Sequence, residues 1–237
     1  MDRDVNILGL IVARGGSKGL PRKNLRLVAG KPLLYWTFDA ARRSRLLTRT
    51  ILSTDDDEIA EYARSEQMEV PFMRPAELAT DAAMTIDVTL HALQWLESQE
   101  RYKPDYVVLL QPTVPLRTAE DIDAGITQVL AHGGDALVSV TACTNHPCLA
   151  RTIDARGVLE PFMATPLAAS RKQELPPVYA LNGAVYVVRS AVLREQYTWH
   201  PTGALAYVMP AERSLDIDSE WDLKLADMIL RSRSDTE

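Results

Sequence analysis

The chain has 237 residues, a length that corresponds to about one or two domains. Its 26 basic and 32 acidic residues give a formal net charge of -6, which argues against a nucleic-acid coat or a polybasic membrane module. Hydrophobic residues make up 46% of the chain, as in ordinary globular proteins. The first residues do not resemble a signal peptide, and no apolar run reaches the roughly 18 residues of a membrane helix.

Predicted strands and helices alternate along the first part of the chain. In chain order they are a strand over 7–13, a helix over 32–43, a strand over 50–53, a helix capped at 55–57 that ends at 66, a helix over 85–98, a strand over 106–110, a helix over 119–132 and a strand over 136–141. This alternation is typical of an α/β fold with a mostly parallel sheet. Ligands of such sheets bind outside the carboxyl ends of the strands, so the loops beginning at Arg14 and Gln111 should share one crevice.

Residues 144–181 interrupt this alternation with several prolines and a predicted hairpin that pairs 151–153 with 158–162. We interpret them as an inserted arm that packs on a partner subunit, in a homodimer or a dimer of dimers. The alternation then resumes with strands over 183–189 and 205–208 and a helix over 219–231. No linker divides the chain, so residues 1–237 are expected to form a single domain.

The two cysteines, Cys143 and Cys148, are too few for a disulfide framework, and the four histidines are scattered. We therefore expect reduced thiols in a cytoplasmic protein, and no zinc site.

The loop after the first strand, ARGGSKGLPRKN (13–24), carries the strongest chemical signal. Its glycines let the backbone turn sharply and direct amide groups inward, and its cations surround that backbone. Backbone donors together with cations are what a polyphosphate requires. The loop is neither a P-loop nor a dinucleotide fingerprint. A solvated basic loop is the alternative, but the position directly after a buried strand favours phosphate binding.

Asp216 and Asp218 lie two residues apart in the segment LDID. In an extended segment both carboxylates face the same way, which suits a Mg²⁺ ion held partly by substrate oxygens. The alternative is a helix cap, because Asp218 and Ser219 lie at the start of the last predicted helix and either residue could cap it.

Residues 12–24 closely resemble the signature loop of the CMP-sialic acid synthetases, or N-acylneuraminate cytidylyltransferases. Further motifs follow in the order of that family: LSTDDDEI (52–59), RPAELATD (74–81), LLQPTVPLR (109–117), LNGAVY (181–186) and SLDIDSEWDL (214–223). The resemblance covers nearly the whole chain. It implies a Rossmann-like fold of the nucleotide-diphospho-sugar-transferase type, with the inserted arm serving dimerisation.

The same resemblance implies an enzyme that transfers CMP from CTP to the anomeric hydroxyl of a nine-carbon α-keto acid sugar and releases pyrophosphate. Its partners would then be CTP and a nonulosonic acid, with no nucleic acid and no membrane, and its cofactor Mg²⁺ or another divalent cation. By this resemblance the catalytic cations are Arg14, Lys18 and Lys23, with Lys23 nearest the α-phosphate. The nucleotide-binding residues it implies are Arg14, Gly15, Ser17, Lys18, Lys23, Asn24, Arg74, Ala83 and Thr85.

For the sugar, the resemblance implies Gln111, Arg171, Lys172, Asn182 and Tyr186, and for the metal Asp216 and Asp218. Arg117 either contacts substrate or holds its loop in place. Lysine at position 172 departs from the family, and lysine cannot make the planar bidentate contact that arginine makes with a carboxylate. A second departure, Cys148 and Leu149 after Pro147, leaves the sugar open among sialic, legionaminic and related acids.

Three other functions compete with this interpretation. A cytidylyltransferase for the eight-carbon acid 3-deoxy-manno-octulosonate would share the fold, but its first loop lacks the GGSKG run. A non-catalytic nucleotide-binding subunit would have less need for the pair Asp216 and Asp218. A structural interaction protein would leave the basic loop unexplained.

Overall fold

The computed structural model describes residues 5–17, 19–163 and 174–234. Its central sheet has six strands: β1 (Ile7–Val12), β4 (Arg49–Ser53), β5 (Tyr106–Leu110), β6 (Ala136–Ala142), β9 (Tyr179–Arg189) and β10 (Leu205–Met209). The strand order is β10-β6-β9-β5-β1-β4, and every pairing is parallel except those of β9. The predicted α/β fold with a mostly parallel sheet is therefore confirmed.

Helices cover both faces of this sheet because each buries an apolar side against it. On one face lie α1 (Leu33–Arg43), α2 (Asp57–Ser65) and α4 (Ala119–Ala131). On the other lie α3 (Thr85–Glu100) and α5 (Ser190–Gln196). The last helix, α6 (Glu220–Ser234), packs through Leu223 on Leu116 and Ile217 in a smaller cluster beside the carboxyl ends of the strands. Among the described helices, none combines the length and apolar character needed to cross a membrane.

Strand β9 runs antiparallel to β5 and β6, for a reason that lies in the arm. The chain leaves β6 at the carboxyl edge of the sheet and returns at the same edge, where the Cys143 amide donates to the Val178 carbonyl at 2.9 Å. A strand that enters at this edge must run opposite to its neighbours. β9 therefore begins at Tyr179, inside the range 144–181 that the sequence assigned to the arm.

The predicted hairpin of the arm is confirmed as β7 (Arg151–Ile153) paired with β8 (Leu159–Pro161). A second small hairpin, β2 (Leu27–Val28) with β3 (Lys31–Pro32), precedes α1 and was not predicted. Every residue of β7 and β8 is exposed. Both Cys143 and the buried Cys148 are free thiols.

Candidate active site

A cleft of about 330 Å³ opens at the carboxyl ends of β1 and β5. It contains both loops that the sequence assigned to one crevice, so that prediction is confirmed. Among its lining residues are Arg14, Ser17, Lys23, Asn24, Arg74, Ala83, Thr85 and Gln111. Three other predicted site residues, Lys18, Arg171 and Lys172, lie outside the described residues.

Two cations of the loop after β1, Arg14 and Lys23, line the cleft. Arg14 forms an ion pair with Asp81 through its Nη1 at 2.8 Å, and about a third of its side chain stays exposed. The Lys23 ammonium donates to the Ile217 carbonyl at 2.7 Å and lies 3.3 Å from an Asp218 carboxylate oxygen. Neither residue is fully buried, so each positive group can turn toward an anion in the cleft without leaving a gap in the protein interior.

Asn24 closes this loop on itself. Its side-chain amide donates to the Arg14 carbonyl at 3.0 Å, and the residue is buried. Gly15 has a different surrounding from the one the resemblance implies, since its amide donates to the Asp55 carboxylate at 3.2 Å and the residue is absent from the cleft lining. Phosphate contact by Gly15 and Asn24 stays a prediction, while their internal contacts shape the loop.

Arg74 braces the ends of β1 and β4 beneath the cleft. The residue is 7% exposed, and its guanidinium donates to the Ala13 carbonyl at 3.2 Å and to the Ser53 hydroxyl at 3.2 Å. Burial lowers the pKa of Arg74, and the charge of Arg14 adds to this effect against the opposing charge of Asp55. A nucleotide phosphate or base edge would meet an arginine that is already held in position.

Arg117 holds the second loop. It is 3% exposed, and its guanidinium donates to the carbonyls of Gln111 at 3.2 Å and Ala184 at 2.8 Å and to the Thr37 hydroxyl at 2.7 Å. Burial lowers the pKa of Arg117 to about 10, which leaves it charged at neutral pH. Arg117 was expected either to contact substrate or to hold its loop in place, and these hydrogen bonds favour the second role.

Gln111 packs against Gly183, whose φ of 68° lies in the left-handed region that favours glycine. A Cβ atom at this position would lie 2.7 Å from Gln111 Oε1. We expect Gly183→Ala to displace the Gln111 side chain and lower turnover about tenfold or more, since a small misplacement of a positioning group is costly in catalysis.

The matched control for this substitution is Gly203→Ala, because Gly203 also has a positive φ, 84°, but its Cβ would meet no atom of the described residues within 4 Å. Steady-state turnover of both variants, beside their melting temperatures, checks the prediction. Equal turnover in the two variants would contradict a role for the Gly183–Gln111 contact.

Asn182 and Tyr186 are buried next to this contact rather than in the cleft. Asn182 is 4% exposed, and its amide accepts from the Ser139 hydroxyl at 2.6 Å and donates to the Ser214 hydroxyl at 2.9 Å. The Tyr186 hydroxyl accepts from the Gly183 amide at 3.3 Å, and burial raises the pKa of Tyr186. The structure thus gives both residues an internal role, and their predicted contact with a sugar stays a prediction.

Asp216 lies on a segment that docks beside the Gln111 loop, because the Ile217 amide donates to the Thr113 carbonyl at 2.8 Å. Asp216 as a whole residue is exposed, but the surrounding protein desolvates its carboxyl group and thereby raises its pKa. The negative charge of Asp218 acts in the same direction, and the Thr113 hydroxyl and Lys23 act against it. Because a like charge disfavours ionisation of a carboxyl group, a bound cation would relieve the repulsion between Asp216 and Asp218.

The structure decides which residue caps α6. The Ser219 hydroxyl accepts from the Asp222 amide at 3.3 Å, and the Asp222 carboxylate accepts from the Ser219 amide at 2.8 Å, as in a capping box. Asp218 is not needed as the cap, and its largely exposed carboxylate is left to face Lys23.

Comparison with known proteins identifies the family to which this chain belongs. The family model described as Cytidylyltransferase matches residues 8–228. The chain belongs to the cytidylyltransferase family. It is also similar to the CMP-N,N'-diacetyllegionaminic acid synthase of Legionella pneumophila, with 34% identity over 95% of this chain and 97% of that protein.

A second relative of this cytidylyltransferase is the N-acylneuraminate cytidylyltransferase of Streptococcus agalactiae serotype III, with 33% identity over 90% of the chain. The chain spans about half the length of that relative, 50%. In fold the chain is similar to CMP:2-keto-3-deoxy-manno-octonic acid synthetase complexed with CTP, with a TM-score of 0.74, 15% identity, and coverage of 96% of this chain and 99% of that one. The predicted membership of the CMP-nonulosonate synthetases is confirmed.

Sequence reasoning missed several supports of the cytidylyltransferase site. The Thr113 carbonyl accepts from the Ile217 amide, and Gly183 packs against Gln111. The buried Asp121 carboxylate binds Arg213, just before the segment that contains Asp216. Gly183 lies within the motif LNGAVY, directly after the predicted substrate-binding residue Asn182, and this position could have marked it. Thr113 and Asp121 carry no comparable local signal.

The metal ligands predicted from the sequence, Asp216 and Asp218, are two carboxylates. No group of three or more His, Cys, Asp or Glu side chains among residues 5–17, 19–163 and 174–234 could hold a metal ion by itself. Asp216 and Asp218 nevertheless fit a hard divalent cation whose remaining ligands are substrate oxygens and water, because such cations favour carboxylate oxygen and often keep several waters.

Proposed function

We propose that this cytidylyltransferase transfers CMP from CTP to the anomeric hydroxyl of a nine-carbon α-keto acid sugar and releases pyrophosphate. The observation that carries the proposal is the meeting of Arg14, Lys23 and Gln111 in one cleft, beside the carboxylate pair Asp216 and Asp218. Relatives whose names specify diacetyllegionaminic acid and N-acylneuraminate support the sugar class. The particular sugar stays open among sialic, legionaminic and related acids.

The proposed reaction requires that charge on the transferred phosphate be neutralised and that the two reactants be held in line. Arg14 would bind the outer phosphates from one side of the cleft, and Lys23 would donate to the α-phosphate oxygens as the bond to pyrophosphate breaks. Gln111 would orient the sugar from the carboxyl end of β5. A Mg²⁺ ion held by Asp216 and Asp218, when bound, would supply further positive charge at the phosphate oxygens.

Sugar-dependent release of pyrophosphate from CTP tests this function. The panel contains neuraminic and legionaminic acids and the eight-carbon 3-deoxy-manno-octulosonate, each with Mg²⁺, and reactions without sugar as the control. We expect release with at least one nine-carbon acid and little with the eight-carbon acid. Release with the eight-carbon acid alone would show that the protein is the octulosonate cytidylyltransferase instead. CTP binding without any release would show that it is a non-catalytic nucleotide-binding subunit.

We also propose that the chain works as a homodimer or a dimer of dimers, with the arm packed on a partner subunit. In the hairpin, Ile153 pairs with Leu159 and Thr152 pairs with Glu160, so the apolar pair and the polar pair lie on opposite faces. Ile153 and Leu159 are 70% and 65% exposed. An isolated two-stranded hairpin is marginally stable in water, and the strands of this one are exposed with respect to the described part of the chain.

Replacing the apolar pair, in the double variant Ile153→Asp and Leu159→Asp, should weaken assembly by roughly a hundredfold or more, because each buried side chain of this size contributes about 1.5–3 kcal/mol. Light scattering at low micromolar concentration measures the result. The control is Thr152→Asp on the polar face, which should leave the mass unchanged. An active monomer of the unmodified protein at that concentration would contradict the proposed assembly.

A further inference from the structure

Arg22, another cation of the loop after β1, does not line the cleft. The Arg22 guanidinium forms ion pairs with the carboxylates of Asp56 and Glu58, and its Nη2 lies 3.3 Å from Asp56 Oδ1. Arg22 is absent from the residues that line the cleft, whereas Arg14 and Lys23 are among them. The loop therefore divides its cations between the cleft and the start of α2.

The same start of α2 holds the other end of the loop. The Gly15 amide donates to Asp55 Oδ1 at 3.2 Å, and a Cβ atom added to Gly15 would lie only 2.9 Å from Asp56 Cβ. The backbone of Gly15 thus lies directly on the Asp56 side chain. We call the contacts of Gly15 and Arg22 with Asp55 and Asp56 the clasp.

Asp56 is itself fixed, which makes it a firm support. It caps α2 by accepting from the Ile59 amide at 3.0 Å, and its own amide donates to the Thr54 hydroxyl at 3.2 Å. Burial by itself would raise the pKa of Asp56, but hydrogen bonds from Arg22 and the Ile59 amide outweigh it and lower the pKa. The carboxylate is therefore ionised at neutral pH and keeps its hold on Arg22.

The backbone of Arg22 adds a further reason for such a hold. Its φ of 57° and ψ of 30° lie in the left-handed region, which is costly for a residue with a Cβ and persists where the surroundings enforce it. Lys23 follows directly, and its ammonium donates to the Ile217 carbonyl and lies beside the Asp218 carboxylate. The turn at Arg22 thus decides where the Lys23 side chain points.

We propose that Arg22, Asp55 and Asp56 are positioning residues for nucleotide binding, and that the clasp holds Arg14 and Lys23 at the spacing that the triphosphate of CTP requires. This inference rests on the proposed function for the identity of the ligand. The clasp acts through the loop and contacts no substrate. Its effect should appear in the affinity for CTP rather than in the stability of the fold, because exposed ion pairs contribute little to stability.

Calorimetric titration of the full chain with CTP and Mg²⁺, without sugar, tests the clasp. Arg22→Gly removes the ion pairs while making the left-handed backbone easier to adopt, so it separates the side chain from the conformation. Asp56→Ser keeps a helix cap but removes the bond to Arg22. The control is Arg194→Gln, because Arg194 and Arg22 are equally exposed, 43% each, and Arg194 pairs with Glu97 on α3 at 3.0 Å.

We expect Arg22→Gly and Asp56→Ser each to weaken CTP binding about five- to tenfold, and the double variant to bind about as well as either single variant, because both substitutions break one contact. Arg194→Gln should bind CTP as the unmodified protein does, with melting temperatures similar in all four variants. In steady-state assays the KM for CTP should rise by the same factor while kcat changes little.

Unchanged CTP binding by Arg22→Gly would overturn the clasp, as would equal weakening by Arg194→Gln, which would reveal general loosening of the fold. A double variant whose loss equals the product of the two single losses would overturn it as well, because the residues would then act independently. If the unmodified protein itself fails to bind CTP, the proposed function fails, which is a distinguishable result.

Discussion

Turnover of the Asp216→Asn variant should be lower by about two to three orders of magnitude, the usual effect of removing one electrostatic support of a transition state. The substitution keeps the shape of the side chain and removes its charge. If Asp216 and Asp218 hold the divalent cation, one carboxylate is then left, and more Mg²⁺ should be needed for half-maximal rate. A Mg²⁺ titration of the initial rate at saturating CTP measures both effects.

The same substitution should leave the melting temperature unchanged or slightly raised. The pKa of Asp216 is raised in the folded protein, so the folded state binds more protons than the unfolded state as the group titrates, and stability falls as pH rises through this range. At neutral pH the charged carboxylate therefore costs stability, and asparagine removes that cost. Loss of turnover without loss of stability would separate a functional carboxylate from a structural one.

Glu220→Gln is the matched control for Asp216→Asn. Glu220 lies in the first turn of α6 and pairs with Arg26 at 2.8 Å, on the same segment but without contact to Lys23. Its replacement should leave both turnover and Mg²⁺ requirement near those of the unmodified protein. An Asp216→Asn variant with unaltered Mg²⁺ dependence would show that the carboxylates are structural and that any metal is bound elsewhere.

Of all the substitutions proposed, removal of the Asp121 carboxylate should lower the free energy of unfolding most. Asp121 is 1% exposed, and it accepts two hydrogen bonds from Arg213 at 2.8 Å, one from the Tyr207 hydroxyl at 3.0 Å and one from the Thr118 amide at 3.0 Å. We expect Asp121→Ala to lower the free energy of unfolding by about 3 kcal/mol, the lower end for breaking a buried pair, because Arg213 keeps some contact with water.

The dependence of this loss on pH has a definite sign. Burial by itself would raise the pKa of Asp121, but hydrogen bonds from Arg213 and the Thr118 amide outweigh it and lower the pKa below its usual value. The stabilisation is therefore present at neutral pH and lost as pH falls through the lowered pKa. Urea unfolding of the variant and the unmodified protein should differ most at neutral pH and progressively less in strong acid.

Asp39→Ala serves as the control for Asp121→Ala, since Asp39 forms an exposed pair with Arg43 one helical turn away at 3.3 Å. It should change the free energy of unfolding by about 0.5 kcal/mol or less. If Asp121→Ala proves as mild as Asp39→Ala, the buried network does not hold Arg213 and the segment that leads to Asp216.

Much of the fold follows from the sequence because its buried strands are continuous apolar runs with clear ends. Strand β5 occupies the predicted residues 106–110, and α1 begins one residue after its predicted start. Helix α5 was missed because seven residues give too short a pattern to separate from a turn. The direction of β9 was not evident either, since it depends on where the arm returns to the sheet.

The location of the cleft was predictable because the signal for it is local. The glycines and cations of residues 13–24 indicate an anion site, and the cleft contains Arg14, Ser17 and Lys23. The partners of polar side chains were not predictable, because they come from distant parts of the chain. Arg22 turns to Asp56, 34 residues away, and Asn182 turns inward to Ser139, 43 residues away.

The most direct measurement is NMR spectroscopy of the product formed from CTP and a nine-carbon keto acid labelled with ¹³C at the anomeric carbon. The account predicts one conjugate in which that carbon couples to a single phosphorus, formed in amounts equal to the pyrophosphate released. Pyrophosphate released together with free CMP, or a phosphorus attached at another hydroxyl and so uncoupled from the labelled carbon, would contradict it.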